Sequence, residues 1–265
     1  MSKKILTIIG TPTREEGYTT KTVQALADSI QQQSSCDIEY LYLADLQLGG
    51  CRGHLTCIKT GEQQCPFYSD VNSLEQKMLA ADAVIFASPV HCFNVSTLMK
   101  NMADLFVYQM HRPAFFGKKA VVVSTAAGAG QKNVLNYLRK TVANWGFEVV
   151  GRLGTHSGLF DEAPYKPKLK AAADKVAGQL ITALNRTELP NPDAAELINF
   201  RVWRSVVMRT EQASPYDFEH WKQSGWFDQN YYYPIKTNPL ANSLAAMIEA
   251  MINRAIRNVS VKPMT

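Results

Sequence analysis

The residues that follow the first apolar segment have types and spacing suited to binding an anion. The apolar run at residues 5–9 is typical of a strand buried on both faces, and it ends at Gly10. Hydroxyl side chains follow it, at Thr11, Thr13, Thr19 and Thr20. Gly17 breaks the chain before a helix that Thr19 or Thr20 could cap. A helix N-terminus beside such hydroxyls favours a phosphate, and an ordinary strand-to-helix connection is the alternative.

A second group of residues could bind a metal ion. Three thiols and one imidazole form the pattern Cys-x2-His-x2-Cys-x7-Cys, at Cys51, His54, Cys57 and Cys65. These ligand types suit an iron–sulfur cluster or a zinc ion. One histidine among three cysteines is uncommon for a cluster. We therefore favour no metal, and keep the cluster and the zinc site as alternatives.

Alternating apolar runs and helical stripes must position these loops. The runs at residues 5–9, 38–43, 83–87, 120–123 and 147–150 predict five strands, and we expect a Ser-Pro turn to end the third. Apolar residues at helical spacing follow most of them, as in Val23, Leu26, Ala27 and Ile30. This order predicts a doubly wound parallel sheet with helices on both faces.

In such a sheet, ligands bind outside the carboxyl ends of the strands. The loops at residues 11–20, 89–96 and 125–130 each follow a predicted strand. They should therefore meet at one edge of the sheet, and the small residues of the third loop would let its backbone approach a ligand closely.

The composition changes after residue 185. A proline-containing linker leads into a segment rich in aromatic residues, followed by an apolar helix near the end of the chain. We expect residues 1–185 to form one domain and residues 186–265 a helical, aromatic-rich extension. Docking on the domain together with a subunit interface would bury the rings, and a lid over the site is the alternative.

Charge and hydropathy narrow the possible partners. The 265-residue chain has a formal net charge of +5, with its charges interspersed rather than grouped. Because no block of Lys or Arg is present, we expect no nucleic-acid partner. The apolar runs are too short to span a bilayer, and no signal-peptide cleavage site follows the first one. We expect a cytoplasmic protein without a disulfide framework, since its five cysteines are an odd number.

Two segments resemble a known family. GTPTREEGYTTKTV resembles the phosphate loop of the flavodoxin-like NADPH-dependent FMN reductases, and ADAVIFASPVHCFNVSTLMKNMAD resembles their third strand and flavin loop. That loop usually reads Ser-Pro-Val-Tyr and then Gly-Asn-Val-Ser, so His91 replaces a tyrosine. The cysteine loop resembles that of the iron–sulfur flavoprotein branch. The resemblance covers roughly residues 4–150 and implies a flavodoxin-like fold with a five-stranded parallel sheet.

The resemblance implies that three loops bind FMN. The phosphate would be held by Thr11, Thr13, Tyr18 and Thr19, with Arg14 nearby. The ring would lie along Pro89, Val90, His91, Cys92, Phe93 and Asn94. Its pyrimidine end would meet Thr125, Ala126, Ala127, Gly128 and Gly130. No catalytic side chain is expected, because the flavin carries the chemistry.

The implied activity is an FMN-dependent NAD(P)H oxidoreductase. Hydride would pass from NADPH or NADH to bound FMN, and then to a small acceptor such as a quinone or a flavin. A homodimer or homotetramer is expected. An electron carrier without nicotinamide oxidation and a flavin-binding redox sensor are the alternatives.

Overall fold

The structure is a computed structural model that describes residues 2–236 and 238–255. Contacts between Cα atoms divide these residues into two compact units. The first unit contains the residues up to Arg52 together with Phe67–Leu189, and the second contains Gly53–Pro66 together with the described residues from Pro190 onward. The predicted boundary at residues 185/186 stays a prediction.

The first unit contains a mainly parallel sheet. Its strands are β1 (Lys3–Ile9), β2 (Cys36–Tyr42), β3 (Ala83–His91), β4 (Asn94–Val95), β5 (Lys119–Ala126) and β6 (Glu148–His156). The parallel strands lie in the order β2-β1-β3-β5-β6, and β4 pairs antiparallel with β3. The described part of the sheet thus has six strands rather than the predicted five. The additional strand is β4, which forms a short hairpin with β3.

Helices cover the sheet of the first unit. They are α1 (Tyr18–Gln33), α3 (Tyr68–Ala80), α4 (Thr97–Leu105), α5 (Gln131–Asn144) and α6 (Lys166–Leu184), while the short α2 (Thr56–Lys59) belongs to the second unit. The predicted apolar stripe of α1 is buried throughout, at Val23, Leu26, Ala27 and Ile30. It packs with α6 and one face of the strands in a core that includes Ile5, Val121 and Leu180.

The start of α1 differs from the sequence expectation. The helix begins at Tyr18 after Gly17, and no side chain caps it. Thr19 and Thr20 therefore lie in its first turn and are not caps. The first-turn N–H groups of this helix thus have no side-chain cap to satisfy them.

The third strand is longer than predicted. It continues through Ser88 and Pro89 to His91, where we expected a turn. Pro89 lies opposite Thr125 of β5, close to the end of the parallel register. A proline is tolerated there because few ladder hydrogen bonds remain to be made. The chain turns back at Cys92 and Phe93, and pairs His91 with Asn94.

The second unit is built around aromatic side chains. Its helices are α2, α7 (Ala194–Val207), α8 (Pro215–Gln223) and α9 (Pro239–Ala255). Phe200 of α7 and Trp221 of α8 are fully buried and stack with ring centroids 5.7 Å apart. Trp226 and Tyr232 meet edge to face at 4.8 Å. These rings are thus buried against one another inside the unit.

The cysteine segment belongs to this second unit. Helix α2 contacts α8, and the Tyr216 hydroxyl donates to Gln63 Oε1 over 3.3 Å. Gly61 allows this approach, because a Cβ atom there would lie 2.9 Å from the Tyr216 ring. No pattern in the amino-acid sequence indicated that residues 53–66 would pack with the extension.

One face of α9 remains exposed. Leu240 is 81% exposed, Met251 64% and Met247 55%, whereas Ala245 is buried. On the other face, Glu249 pairs with Arg201 and Arg204 of α7 at 2.9 and 2.7 Å. No helix among the described residues is long and apolar enough to cross a membrane.

Candidate active site

The site lies where the strand order reverses, at the carboxyl ends of β1 and β3. Gly10 N–H donates to the Ala87 carbonyl over 2.8 Å. The Ser96 hydroxyl donates to the Gly10 carbonyl over 2.6 Å, and its oxygen accepts from Met99 N–H over 3.2 Å. Ser96 N–H in turn donates to Ser88 Oγ over 2.9 Å. One buried serine therefore joins the loop after β1 to the hairpin after β3.

The loop after β1 forms a hydroxyl-lined cradle. Thr11 Oγ1 and Thr13 Oγ1 are 2.9 Å apart and share a hydrogen bond. They lie against Gly17, where a Cβ atom would sit only 2.3 Å from Thr13 Oγ1. The uncapped first turn of α1 follows directly. Hydroxyls next to unsatisfied helix N–H groups and a positive dipole end are suited to a phosphate.

Arg14 is held to one side of this loop. Its Nε donates to Asp45 Oδ1 over 2.5 Å, and both side chains are about half exposed, at 48% and 49%. Its φ of 46° is left-handed, and its carbonyl accepts from the Thr20 hydroxyl over 2.5 Å. The structure therefore gives Arg14 an ion pair with a carboxylate, and its predicted place near the phosphate stays a prediction.

The next two predicted residues connect the start of α1 to β5 and to the segment that follows β6. Thr19 Oγ1 lies 2.6 Å from Thr125 Oγ1, so the first and third predicted loops are in contact. The Tyr18 hydroxyl donates to Asp161 Oδ2 over 3.0 Å. This hydrogen bond to a carboxylate raises the pKa of Tyr18, which keeps its proton. No motif in the sequence pointed to Asp161.

The segment after β5 contains small exposed residues, and the side chain of Gln131 anchors it to two strands. Gln131 Nε2 donates to the carbonyls of Ser124 and Thr155, which fixes the start of α5 to two strand ends. Ala126 is buried, Ala127 and Gly128 are exposed, and no atom lies within 4 Å of a Cβ placed on Gly128. This leaves room for a ligand beside the backbone. Gln131 was not predicted, because a lone glutamine carries no motif.

The β3–β4 hairpin supplies the remaining predicted residues. Pro89 and Val90 are partly buried, and an exposed set follows, at His91, Cys92, Phe93 and Asn94. Val95 N–H donates to Asn94 Oδ1 over 2.8 Å. The amide nitrogen of Asn94 is therefore the side-chain group that could donate a hydrogen bond to a ligand. The hairpin thus presents polar and aromatic groups together.

Three of the predicted metal-ligating residues, His54, Cys57 and Cys65, belong to the second unit and do not form a ligand group there. Cys51 is exposed, Cys57 is buried and Cys65 is intermediate, and His54 Nδ1 lies 3.2 Å from Thr56 Oγ1. Across residues 2–236 and 238–255, no three Cys, His, Asp or Glu side chains are placed to hold a metal. His54, Cys57 and Cys65 are therefore not arranged to hold a metal, and no chemical step is assigned to one.

A groove elsewhere offers little to a ligand. A space of about 500 Å³ lies between α6 and the amino end of β6, lined by Glu148 and Arg186. Burial raises the pKa of Glu148, but hydrogen bonds from Arg186 and Lys119 outweigh this and lower it. The charges of this groove are thus already paired with one another.

These features define a class of protein: a doubly wound α/β domain with a hydroxyl-lined loop suited to a phosphate at the carboxyl ends of its central strands. The profile of the NADPH-dependent FMN reductases matches residues 3–160, more than half of the chain. The chain belongs to this family. It is therefore an FMN-dependent NAD(P)H oxidoreductase, and the cradle, the open loop and the hairpin fit FMN.

The chain is also similar to individual flavoproteins. The chain is 26% identical to an iron–sulfur flavoprotein of Archaeoglobus fulgidus over 84% of its own length and 99% of the relative's. It is 30% identical to an FMN-dependent NADH:quinone oxidoreductase of Pseudomonas aeruginosa over 41% of its length and 60% of the relative's. The structure of an FMN-dependent NADH-azoreductase from Bacillus anthracis, solved with FMN, matches with a TM-score of 0.50 at 16% identity, covering 67% of this chain and 99% of the other. This last similarity confirms the predicted flavodoxin-like fold.

Proposed function

We propose that the protein transfers a hydride from NADPH or NADH to bound FMN and passes the electrons to a small organic acceptor such as a quinone. The observation that carries this proposal is the junction of the β1 loop with the β3 hairpin through Ser96. This junction supports the proposal because it brings the hydroxyl-lined loop next to an exposed hairpin, so that a bound phosphate and two alternating substrates could share this edge of the sheet. The acceptor class is supported by the quinone-reducing relative.

The residues of the chain would bind and orient the reactants. The Thr11 and Thr13 hydroxyls and the first turn of α1 would hold the phosphate. The amide nitrogen of Asn94 would donate to the polar edge of the ring system. The exposed backbone at Ala127 and Gly128 would pack closely against the far end of the ring system and exclude water from it. Bound FMN supplies the hydride and electron chemistry, so no acid–base pair is assigned.

The test is anaerobic mixing of the FMN-loaded protein with NADPH and, separately, with NADH. We expect at least one nucleotide to bleach the oxidised-flavin absorption, and a quinone to restore it. A protein that is reduced by a ferredoxin-type partner but by neither nucleotide would be an electron carrier, which would contradict the proposal.

The expected homodimer or homotetramer is part of the same proposal. The large hydrophobic residues exposed on α9 are Leu240, Leu244, Met247 and Met251. They repeat at intervals of four, three and four, which is the spacing of a coiled-coil seam. A second copy of this helix would cover them. Cytoplasmic location and the absence of a nucleic-acid partner stay predictions.

A further inference from the structure

The β3–β4 hairpin has an unusual turn. Its two central residues, Cys92 and Phe93, have φ angles of 47° and 62°. Two positive φ angles in a two-residue hairpin match a type I′ turn, for which Asn-Gly is the favoured sequence. Neither residue here is a glycine or an asparagine. Their side chains therefore strain the backbone at this turn.

Burial of the Phe93 side chain does not offset this strain. Its exposed fraction is 64%, so the ring gains little from burial. Its backbone lies against Gly130, where a Cβ atom would be 3.1 Å from Phe93 Cα and 3.2 Å from Phe93 Cδ1. Gly130 itself has a φ of 97° and is the N-cap residue of α5. One side of the ring thus packs against the 125–130 loop, and the rest of the ring is exposed.

Strained residues that persist without a packing gain are concentrated at functional sites. Phe93 lies in the turn of the hairpin and against Gly130 of the 125–130 loop, and both segments are proposed to border the flavin ring. We propose that Phe93 is a specificity-determining residue whose exposed ring stacks on flat aromatic or quinone acceptors. This inference rests on the proposed function for the position of the flavin, but it assigns a separate property to the site.

An exposed aromatic ring favours flat electron acceptors for a physical reason. Offset stacking of two rings gains free energy beyond simple burial, and a compact hydrophilic ion cannot use it. A quinone that stacks on Phe93 gains two electrons and two protons and becomes a hydroquinone. The electrons and one proton come from the hydride of NAD(P)H, and the solvent supplies the second proton. Ferricyanide accepts single electrons without stacking.

The test compares two variants that separate the ring from the backbone. Phe93→Asn removes the ring and places a residue that tolerates positive φ. Phe93→Tyr keeps the ring and the strain, and is the matched control. The ratio of KM for menadione to KM for ferricyanide should rise about 3- to 10-fold in F93N, the range given by the loss of one aromatic pair. In F93Y the ratio should change by less than about twofold.

Two further measurements do not depend on turnover. Release of strain should raise the Tm of F93N by about 1–4 °C, and F93Y should show no such rise. Titration of each apo-protein with FMN measures the cofactor affinity directly. An unchanged KM ratio in F93N would refute the acceptor role, and a 10-fold loss of FMN affinity with an unchanged ratio would place the ring in the cofactor site instead.

The proposed function and this inference can fail separately. Flavin in the wild type and in F93N is photoreduced anaerobically with EDTA as the electron donor and without NAD(P)H, and is then mixed with menadione or ferricyanide. A slower reoxidation of F93N by menadione relative to ferricyanide supports stacking on Phe93 even if neither nucleotide reduces the wild type. Equal relative rates in both proteins refute it.

Discussion

The loops after β1 and β3 both contain residues with positive φ, but they stabilise them differently. In the β1 loop, the left-handed Arg14 is held by an ion pair to Asp45 and by the Thr20 hydroxyl on its carbonyl. In the β3 hairpin, Phe93 has a similar φ and an exposed ring. The β1 loop is thus held by an ion pair and a hydrogen bond to Arg14, whereas the hairpin turn depends on the close approach of Gly130. This difference supports the proposal that the β1 loop binds a constant group, the phosphate, and that the hairpin contacts a variable one, the acceptor.

The largest expected effect tests the β1 loop. Thr11→Ala together with Thr19→Ala should weaken FMN binding about 100-fold, because hydrogen bonds to a charged phosphate are lost. Titration of the apo-protein with FMN measures this. Thr182→Ala, an exposed threonine of α6, is the control and should change the affinity by less than about twofold. Unchanged occupancy in the double variant would mean that the phosphate binds elsewhere.

The next effect tests the support of the hairpin. Gly130→Ala should lower the free energy of unfolding by about 2–3 kcal/mol, because its φ is 97° and the new Cβ would meet the Phe93 backbone. Gly128→Ala has open space around the new methyl group and should cost less than about 0.5 kcal/mol. Denaturant unfolding of both apo-variants measures the difference. Equal costs would show that the hairpin does not need the close approach.

The smallest effect concerns the packing inside the β1 loop. Gly17→Ala keeps an allowed φ of −72°, but its methyl group would force Thr13 Oγ1 away from Thr11. We expect a loss of stability of about 1–2 kcal/mol and FMN binding about 10-fold weaker. Gly50→Ala meets no neighbouring atom and is the control. Full FMN affinity in G17A would show that the hydroxyl pair is not needed for binding.

The elements with strong periodicity could be predicted from the sequence. The five parallel strands and the buried stripe of α1 follow from apolar spacing alone. The sequence also predicted that Thr19 and Thr125 would share one edge of the sheet, and their hydroxyls lie 2.6 Å apart. These features depend on local patterns and on the general topology of parallel sheets.

The hairpin could not be predicted, for physical reasons. A proline usually ends a strand, yet Pro89 is accommodated because it lies at the end of its register. Cys92-Phe93 carries none of the residues that favour a type I′ turn. The turn is fixed by its neighbours, above all Gly130, which lies far away in the sequence. The pairing of residues 53–66 with the extension was missed for the same reason, since it depends on a distant contact with Tyr216.

The hydroxyl of Ser96 limits how this scaffold can be re-engineered. Because it donates to Gly10 and also caps α4, a hairpin transplanted from another flavoprotein would have to bring a serine in register. A graft without that serine would leave the Gly10 carbonyl without this donor and would disturb the phosphate cradle. Acceptor preference could therefore be exchanged between relatives as a cassette from Ser88 to Ser96, and a shorter exchange that keeps both serines should be the safest.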